Sequence, residues 1–296
     1  MTQQHRQTRI DQFIVAQALP DAFRSTVEKV HQPLATAIAQ YHAALRRPCV
    51  VGLCGPQGSG KSTGAAVLRL LLELQGLRVV ILSIDDLYLT RAERQGLAQT
   101  VHPLLGTRGP PGSHDVAMGI ALLDRLKAPG PTVLPSFDKA ADDQRSSDQL
   151  SVFEGPADVI LFEGWCIGAR AQPPGALEKP INVLEREDDP DGTWRRYVNN
   201  ALANYRPLFA RIDFQILLLP PSFGVVARWR QEQEAKLRQH AKSAGTDTFV
   251  MSDDEITRFV QHYERLTRYI IAEMPMRAHA IVKLGPDREL EELVLK

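Results

Sequence analysis

The sequence predicts an α/β fold built on a doubly wound parallel sheet and preceded by a helical extension. Short, wholly apolar runs recur along the chain, too short for helices and bounded by turn residues. Amphipathic stretches of helical period fall between them. Fully apolar strands alternating with helices are the pattern of a parallel sheet covered on both faces. At 296 residues, 44% of them hydrophobic, the chain can bury a sizeable core.

Residues 1–10 are polar and lack the apolar segment of a secretion signal. No run approaches the roughly 20 apolar residues that span a bilayer. The expectation is a cytoplasmic protein with no membrane partner. From 21 to 47, Phe23, Val27, Val30, Leu34, Ile38, Tyr41 and Leu45 recur at spacings of three and four, one helical stripe. Pro33 should kink or divide it. Residues 1–47 are therefore assigned to an N-terminal helical extension and 48–296 to the main domain.

Cys49–Cys54 reads as the first strand, followed by a Gly-rich turn and a Leu-rich helix over 61–75. Further strands of the same sheet are expected at 79–84, 132–134, 159–162, Phe214–Leu219 and Ala280–Leu284. Helices are expected at 116–126, 194–208, 222–240 and Asp253–Glu273. Residues 91–113 and 172–192 carry several Gly and Pro and read as loops on the side where such sheets place their ligands.

The 35 basic and 35 acidic residues cancel, so the chain lacks the charge footprint of a nucleic-acid binder. Cys49, Cys54 and Cys166 show no metal-ligand spacing, and their odd number speaks against a disulfide framework. Cys49 and Cys54, at the ends of an apolar strand, read as small core residues.

Gly55-Pro56-Gln57-Gly58-Ser59-Gly60-Lys61-Ser62 fits G-x-x-x-x-G-K-[ST] without a mismatch, between a strand and a helix as the motif requires. Backbone N–H groups of such a turn point inward at phosphates, and the helix N-terminus adds its dipole. Lys61 should reach the β- and γ-phosphates of ATP, the Ser62 hydroxyl should ligate Mg²⁺, and Thr63 adds a hydroxyl near the α-phosphate.

The strand at 79–84 runs into Asp85 and Asp86, which places Asp85 at the carboxyl edge of a parallel sheet. There it can take an acceptor's proton, hold its hydroxyl in line, or serve with Ser62 and Glu163 as a Mg²⁺ ligand. Either acid could instead cap the following turn. Val159-Ile160-Leu161-Phe162 ends at Glu163, four apolar residues and an acid, the form of a strand that orders Mg²⁺. Trp165, two residues on, either shapes an acceptor pocket or fills core.

Several blocks occur in order with the phosphate loop. They are Ile84-Asp85-Asp86-Leu87-Tyr88-Leu89-Thr90, Arg108-Gly109-Pro110-Pro111-Gly112-Ser113-His114-Asp115, Phe137-Asp138-Lys139, Leu161-Phe162-Glu163-Gly164-Trp165 and Arg228-Trp229-Arg230. Together they resemble the plant-type D-glycerate 3-kinases and their fungal and bacterial relatives, within the uridine kinase, pantothenate kinase and phosphoribulokinase group. The resemblance covers residues 48–275. It implies a P-loop NTPase kinase fold and MgATP-dependent transfer to the 3-hydroxyl of D-glycerate. It also implies that Asp85 acts as base and that Glu163 lies by metal and acceptor. The chain departs from the pattern at 169–197, a long acidic stretch where acceptor selectivity could be set.

A hydroxy-acid acceptor needs a cation, since an unpaired buried anion is costly. Arg108 suits a bidentate carboxylate contact, with Asp86, Tyr88, His114, Asp115, Lys139 and Trp165 as further acceptor-binding candidates. Asp115 equally suits the N-cap of the helix that follows. In 222–245, Arg228 and Arg230 read as catalytic arginines of a mobile lid that neutralise charge on the transferred phosphoryl. Their i, i+4 spacing to Glu232 and Glu234 equally fits a salt-bridged surface helix that continues through Lys236 and Arg238. Two other functions fit the same scaffold. One is a kinase for pantothenate, a nucleoside or a sugar phosphate, and the other is an ATP-binding regulator without catalysis.

Overall fold

The computed structural model describes residues 3–244 and 251–296, with side chains from 4–235 and 251–296. Helices α1 (Gln3–Ala16), α2 (Phe23–Thr26) and α3 (Gln32–Leu45) lead into strand β1 (Cys49–Cys54). A π-helical turn, Val27–His31, separates α2 from α3, and Pro33 sits in the first turn of α3. Proline has no N–H for the carbonyl four residues back, and its ring crowds that carbonyl. The ladder widens there, and the Gln32 N–H reaches the Val27 carbonyl.

Next come α4 (Lys61–Glu73), β2 (Val79–Ser83), α5 (Arg91–Thr100) and α6 (Val116–Arg125). Four short strands follow: β3 (Gly130–Leu134), β4 (Phe137–Asp138), β5 (Asp143–Gln144) and β6 (Ser151–Gly155). The chain continues through β7 (Val159–Gly164), α7 (Val183–Glu187), α8 (Thr193–Phe209) and β8 (Phe214–Leu219). It closes with α9 (Gly224–Ala244), α10 (Asp253–Glu273), β9 (Ala280–Leu284) and β10 (Leu290–Leu295).

Six strands form the central sheet in the order β10-β9-β8-β1-β7-β2. All neighbours run parallel except β10, which is antiparallel to β9. Successive side chains of a strand point to opposite faces, and β1 divides its residues accordingly. Val50 and Cys54 join Leu122 of α6, Leu202 of α8 and Ile270 of α10 on one face. Val51 and Leu53 join Ile38 of α3 and Leu68 of α4 on the other. Ile14, Leu34 and Ile38 are at most 2% exposed, so α1 and α3 close one face of the sheet together with α4. Burying each such side chain is worth about 1.5–3 kcal/mol.

Three stretches differ from expectation, one of them 172–192, where a 3₁₀ turn, Pro174–Leu177, and α7, started by the Asn182 side chain accepting from the Glu185 N–H, interrupt the expected loop. The run at 132–134 is not in the central sheet; β3 pairs antiparallel with β6 in a separate ribbon. Its residues alternate, Thr132 buried and Val133 54% exposed, as in a ribbon with one face in water. Residues 91–113 are not all loop. Thr90 and Glu93 form a capping box that starts α5, and Pro103–Gly106 is a 3₁₀ turn. The three cysteines are free and buried. No described helix is long and apolar enough to cross a membrane.

Candidate active site

The strand register brings three loops to one edge. Leu53 of β1 lies opposite Glu163 of β7, and Glu163 lies opposite Ser83 of β2. The segments leaving these strands therefore emerge side by side at their carboxyl ends. The first is the 55–61 loop, where Gly58 and Gly60 have φ of 76° and 85°. Only glycine adopts that region without steric cost. Gly55 is held by space instead, since a Cβ there would lie 2.7 Å from Ser59 Oγ. Gly60 caps α4, whose first turn carries Lys61, Ser62 and Thr63, so the unpaired N–H groups of the helix start face the loop. Ser59 Oγ and Gln57 Oε1 are buried without partners among the described residues.

Glu163 is the penultimate residue of β7 and is 5% exposed. The Ser62 hydroxyl donates to its Oε1 at 2.8 Å, while Oε2 is buried without a partner among the described residues. A buried carboxylate oxygen left unpaired is costly. A hydroxyl and a carboxylate beside a phosphate loop are hard oxygen donors of the kind Mg²⁺ takes together with phosphate oxygens and water. The residues present fit that ion.

Beyond β2 the Ser83 hydroxyl accepts from the Asp85 N–H at 3.2 Å and starts a 3₁₀ turn, Ile84–Leu87. That turn aims Asp85 into the cleft. Its Oδ1 accepts from the Tyr88 hydroxyl and its Oδ2 from Lys139 Nζ, each at 2.7 Å. Burial works against ionisation of Asp85, but the charges of Lys139 and Lys61 and these hydrogen bonds outweigh it. The carboxyl is held well below the usual carboxylate range. Asp86 points the other way and accepts from the Phe137 N–H at 3.1 Å. Burial pushes its carboxyl up to about 6, with the Asp85 charge adding to the rise and the Phe137 hydrogen bond opposing it.

Lys61, Asp85, Arg108, Lys139, Trp165 and Arg230 line one cleft, together with Gln57, Gly58 and Tyr88. Arg108 pairs with Asp142 and lies over the Phe137 ring at 5.6 Å. Trp165 is both core and wall: it is 3% exposed and its Nε1–H donates to the Gly109 carbonyl at 3.0 Å. Arg230 pairs with Glu234 at 2.7 Å and stacks over Phe259, so its guanidinium reaches the cleft from α9.

Four expected residues lie elsewhere, Asp86 among them, its carboxylate turned to the Phe137 N–H. Asp115 is the N-cap of α6, its carboxylate accepting from the Met118 N–H at 2.8 Å. His114 stands behind Tyr88, stacked at 4.8 Å, with Nδ1 2.7 Å from the Tyr205 hydroxyl. Burial lowers its imidazole to about 4, so it is neutral. Arg228 does not line the cleft; it reaches Asp287 at 3.0 Å and the Pro286 carbonyl, drawn by the turn before β10. The acidic residues of 172–192 are also remote from the cleft. Glu185, Asp188 and Asp189 pair with Arg265, Arg258 and Arg195 at 2.6, 2.6 and 3.1 Å. The side chains of Lys236 and Arg238 lie outside the described residues.

Four residues join the site without a signal in the sequence, Gln233 and Phe259 in the cleft wall and two that bond to its loops. Tyr263 of α10 lines the cleft, and its hydroxyl donates to the Arg108 carbonyl at 3.1 Å. Arg288 donates from Nε to the Gly58 carbonyl at 2.6 Å and braces the loop from behind.

A glycine-rich turn between a buried parallel strand and a helix, with one acid near the end of the adjoining strand β7 and another just past β2 beyond it, defines a P-loop kinase. No family model matches the chain. It is 32% identical over 243 residues to an uncharacterized kinase of Schizosaccharomyces pombe, covering 79% of this chain and 84% of that protein. It is 31% identical over 228 residues to the chloroplastic D-glycerate 3-kinase of Arabidopsis thaliana, covering 73% of this chain and 46% of that protein. The chain thus spans less than half the plant enzyme's length. The solved D-glycerate 3-kinase of Cryptococcus neoformans superposes with a TM-score of 0.73 at 25% identity, over 90% of this chain and 99% of that one. The chain belongs to this family of kinases.

Proposed function

We propose that the protein transfers the γ-phosphoryl group of ATP to the 3-hydroxyl of D-glycerate, giving 3-phosphoglycerate and ADP. One observation carries this reading. Asp85 and Arg108 face the same cleft beside Lys61, an acid for an alcohol and a guanidinium for a carboxylate. The likeness to two D-glycerate 3-kinases supports it.

In this reading the acceptor oxygen bonds to the γ-phosphorus, the bond to the β–γ bridging oxygen breaks, and the alcohol proton passes to Asp85. A carboxylate held so far below the usual range is a weak base. That is tolerable because phosphoryl transfer runs through a loose transition state in which the proton leaves late. The main work of Asp85 is then to hold the hydroxyl in line. The 55–63 loop, from Gly55 to Thr63, cradles the phosphates, and Lys61 meets the oxygens between which charge migrates. Mg²⁺, held by Ser62 and Glu163, would neutralise charge on the β- and γ-phosphate oxygens. Arg230, rather than Arg228, is the lid arginine facing the transferred group. The unit is read as a kinase domain over 48–296 with a helical extension over 1–47. Its buried free thiols suit the reducing cytoplasm.

The test is a coupled ADP-release assay with MgATP and a panel of D-glycerate, L-glycerate, pantothenate, uridine and ribulose 5-phosphate. Stimulation by D-glycerate, abolished in Lys61→Ala, is expected. Stimulation by another member alone would keep the phosphotransfer and overturn the acceptor. ATP binding without turnover on any of them would favour a regulatory protein.

A further inference from the structure

The cleft already holds, inside the protein, the two contacts a hydroxy acid would make. Between β4 and β5 the chain turns through residues 139–142, and both ends of the turn touch the site. At one end Lys139 Nζ donates to Asp85 Oδ2 at 2.7 Å. At the other, the Asp142 carboxylate pairs with Arg108, whose guanidinium also reaches the Lys139 carbonyl at 3.4 Å. A hydroxy acid presents the same pair of groups, a proton donor for Asp85 and a carboxylate for Arg108.

Both oxygens of Asp85 are occupied, one by Tyr88 and one by Lys139. Each carboxylate oxygen can accept a second hydrogen bond, so an acceptor hydroxyl reaches Asp85 Oδ2 in competition with Lys139. Arg108 offers a full fork to a substrate only if Asp142 lets go. The turn is built to give way at these contacts. The Lys139 side chain is 62% exposed and that of Asp142 33%, so water can take over the contacts each would give up. The hairpin keeps a second anchor. Arg94, 1% exposed, binds the Asp142 carbonyl at 2.7 Å and its Oδ2 at 2.9 Å, so Asp142 can release Arg108 without coming free.

We propose that the hairpin tip is an internal stand-in for the acceptor, with Lys139 in the hydroxyl position and Asp142 in the carboxylate position. An incoming hydroxy acid displaces both, so the acceptor binds against a built-in competitor that sets its apparent affinity. The proposal rests on the reading that the acceptor is a hydroxy acid.

The experiment compares wild type with Asp142→Asn, which tolerates the left-handed backbone at that position (φ 56°) and removes the charge. Calorimetric titration without nucleotide uses D-glycerate and, as a carboxylate without the hydroxyl, propionate. Removing a competitor raises apparent affinity by the reciprocal of the fraction of sites it left free, so Asp142→Asn should bind both about three- to tenfold more tightly if the tip fills about two-thirds to nine-tenths of sites. The KM for D-glycerate should fall by a similar factor with kcat unchanged. Equal or weaker binding would overturn the proposal, because an Asp142 that merely braces Arg94 and Arg108 predicts looser binding and a lower Tm. Wild type provides a second measurement if the variant does not fold. D-glycerate should speed amide hydrogen exchange across 137–144, and added protection there would overturn the proposal. The two readings fail separately. Turnover of D-glycerate by wild type with no gain in variant affinity sinks the stand-in alone. Tighter carboxylate binding by the variant with no turnover sinks the acceptor alone.

Discussion

Trp229 lies directly against Gly58: a Cβ at position 58 would fall 2.7 Å from the Trp229 Cβ and 3.0 Å from its carbonyl oxygen. The phosphate loop and the first turns of α9 are thus in van der Waals contact through a glycine. Trp229 is fully buried and anchored by its Nε1–H to the Pro286 carbonyl at 2.8 Å, so it cannot step aside.

Gly58→Ala should therefore damage nucleotide binding more than folding. The left-handed backbone alone costs an alanine about 1–2 kcal/mol, and the clash with Trp229 adds to it. Calorimetry should show ATP affinity reduced at least tenfold, with the far-UV circular dichroism spectrum unchanged.

The paired acids should separate by phenotype. Glu163→Gln keeps an acceptor for Ser62 but removes the charge, and should raise the Mg²⁺ concentration for half-maximal rate by roughly 10–100-fold. Asp85→Asn should lower kcat by about 10²–10⁴-fold at any Mg²⁺ concentration. Because Asp85 is held well below the usual carboxylate range, its titration should leave no acid limb in the rate profile above pH 4. Initial rates across magnesium and pH check both.

Asp86 should weaken the fold near neutrality. Its carboxyl titrates near 4 when unfolded and is pushed up to about 6 when folded. Between those values the folded state holds the proton that the unfolded state has lost, so stability falls as pH rises. Asp86→Asn can still accept from the Phe137 N–H. Its Tm should exceed that of wild type by a few degrees at pH 7 and match it at pH 4.

The thiols should be silent in the native protein. Burial pushes Cys49 and Cys54 up to about 12 and Cys166 well above its ordinary value, so no thiolate is present at pH 8. Ellman's reagent should register none until denaturant is added, and three afterwards.

The parts of the site legible in the sequence are those whose residues are neighbours along the chain. The phosphate loop carries its strand and helix with it, and Asp85 and Glu163 each follow an apolar run that fixes their place at a strand end. The Gly109–His114 block was legible as unusual but not as to its work. Ser113 Oγ accepts from the Gly109 N–H and donates to the Pro110 carbonyl, and His114 bonds to Tyr205. These residues shape the loop that presents Arg108; its signature is one of geometry, not of ligand contact. Tyr263 and Arg288 left no trace, because each enters from a separate helix or turn through tertiary packing alone. The β3 ribbon misled because a short Thr-Val-Leu run looks the same in parallel and antiparallel sheets. Arg228 and Arg230, one turn-half apart on α9, could not be told apart until the turn at Pro286 was seen to hold one of them.

The brace from Arg288 to Gly58 joins residues 230 positions apart. On a ribosome adding about 5–20 residues per second, the phosphate loop is made tens of seconds before the arginine that steadies it. Through that interval the nascent chain has the motif but lacks its clamp. The finished geometry of the loop is therefore a late event in biogenesis, reached when the far hairpin has docked.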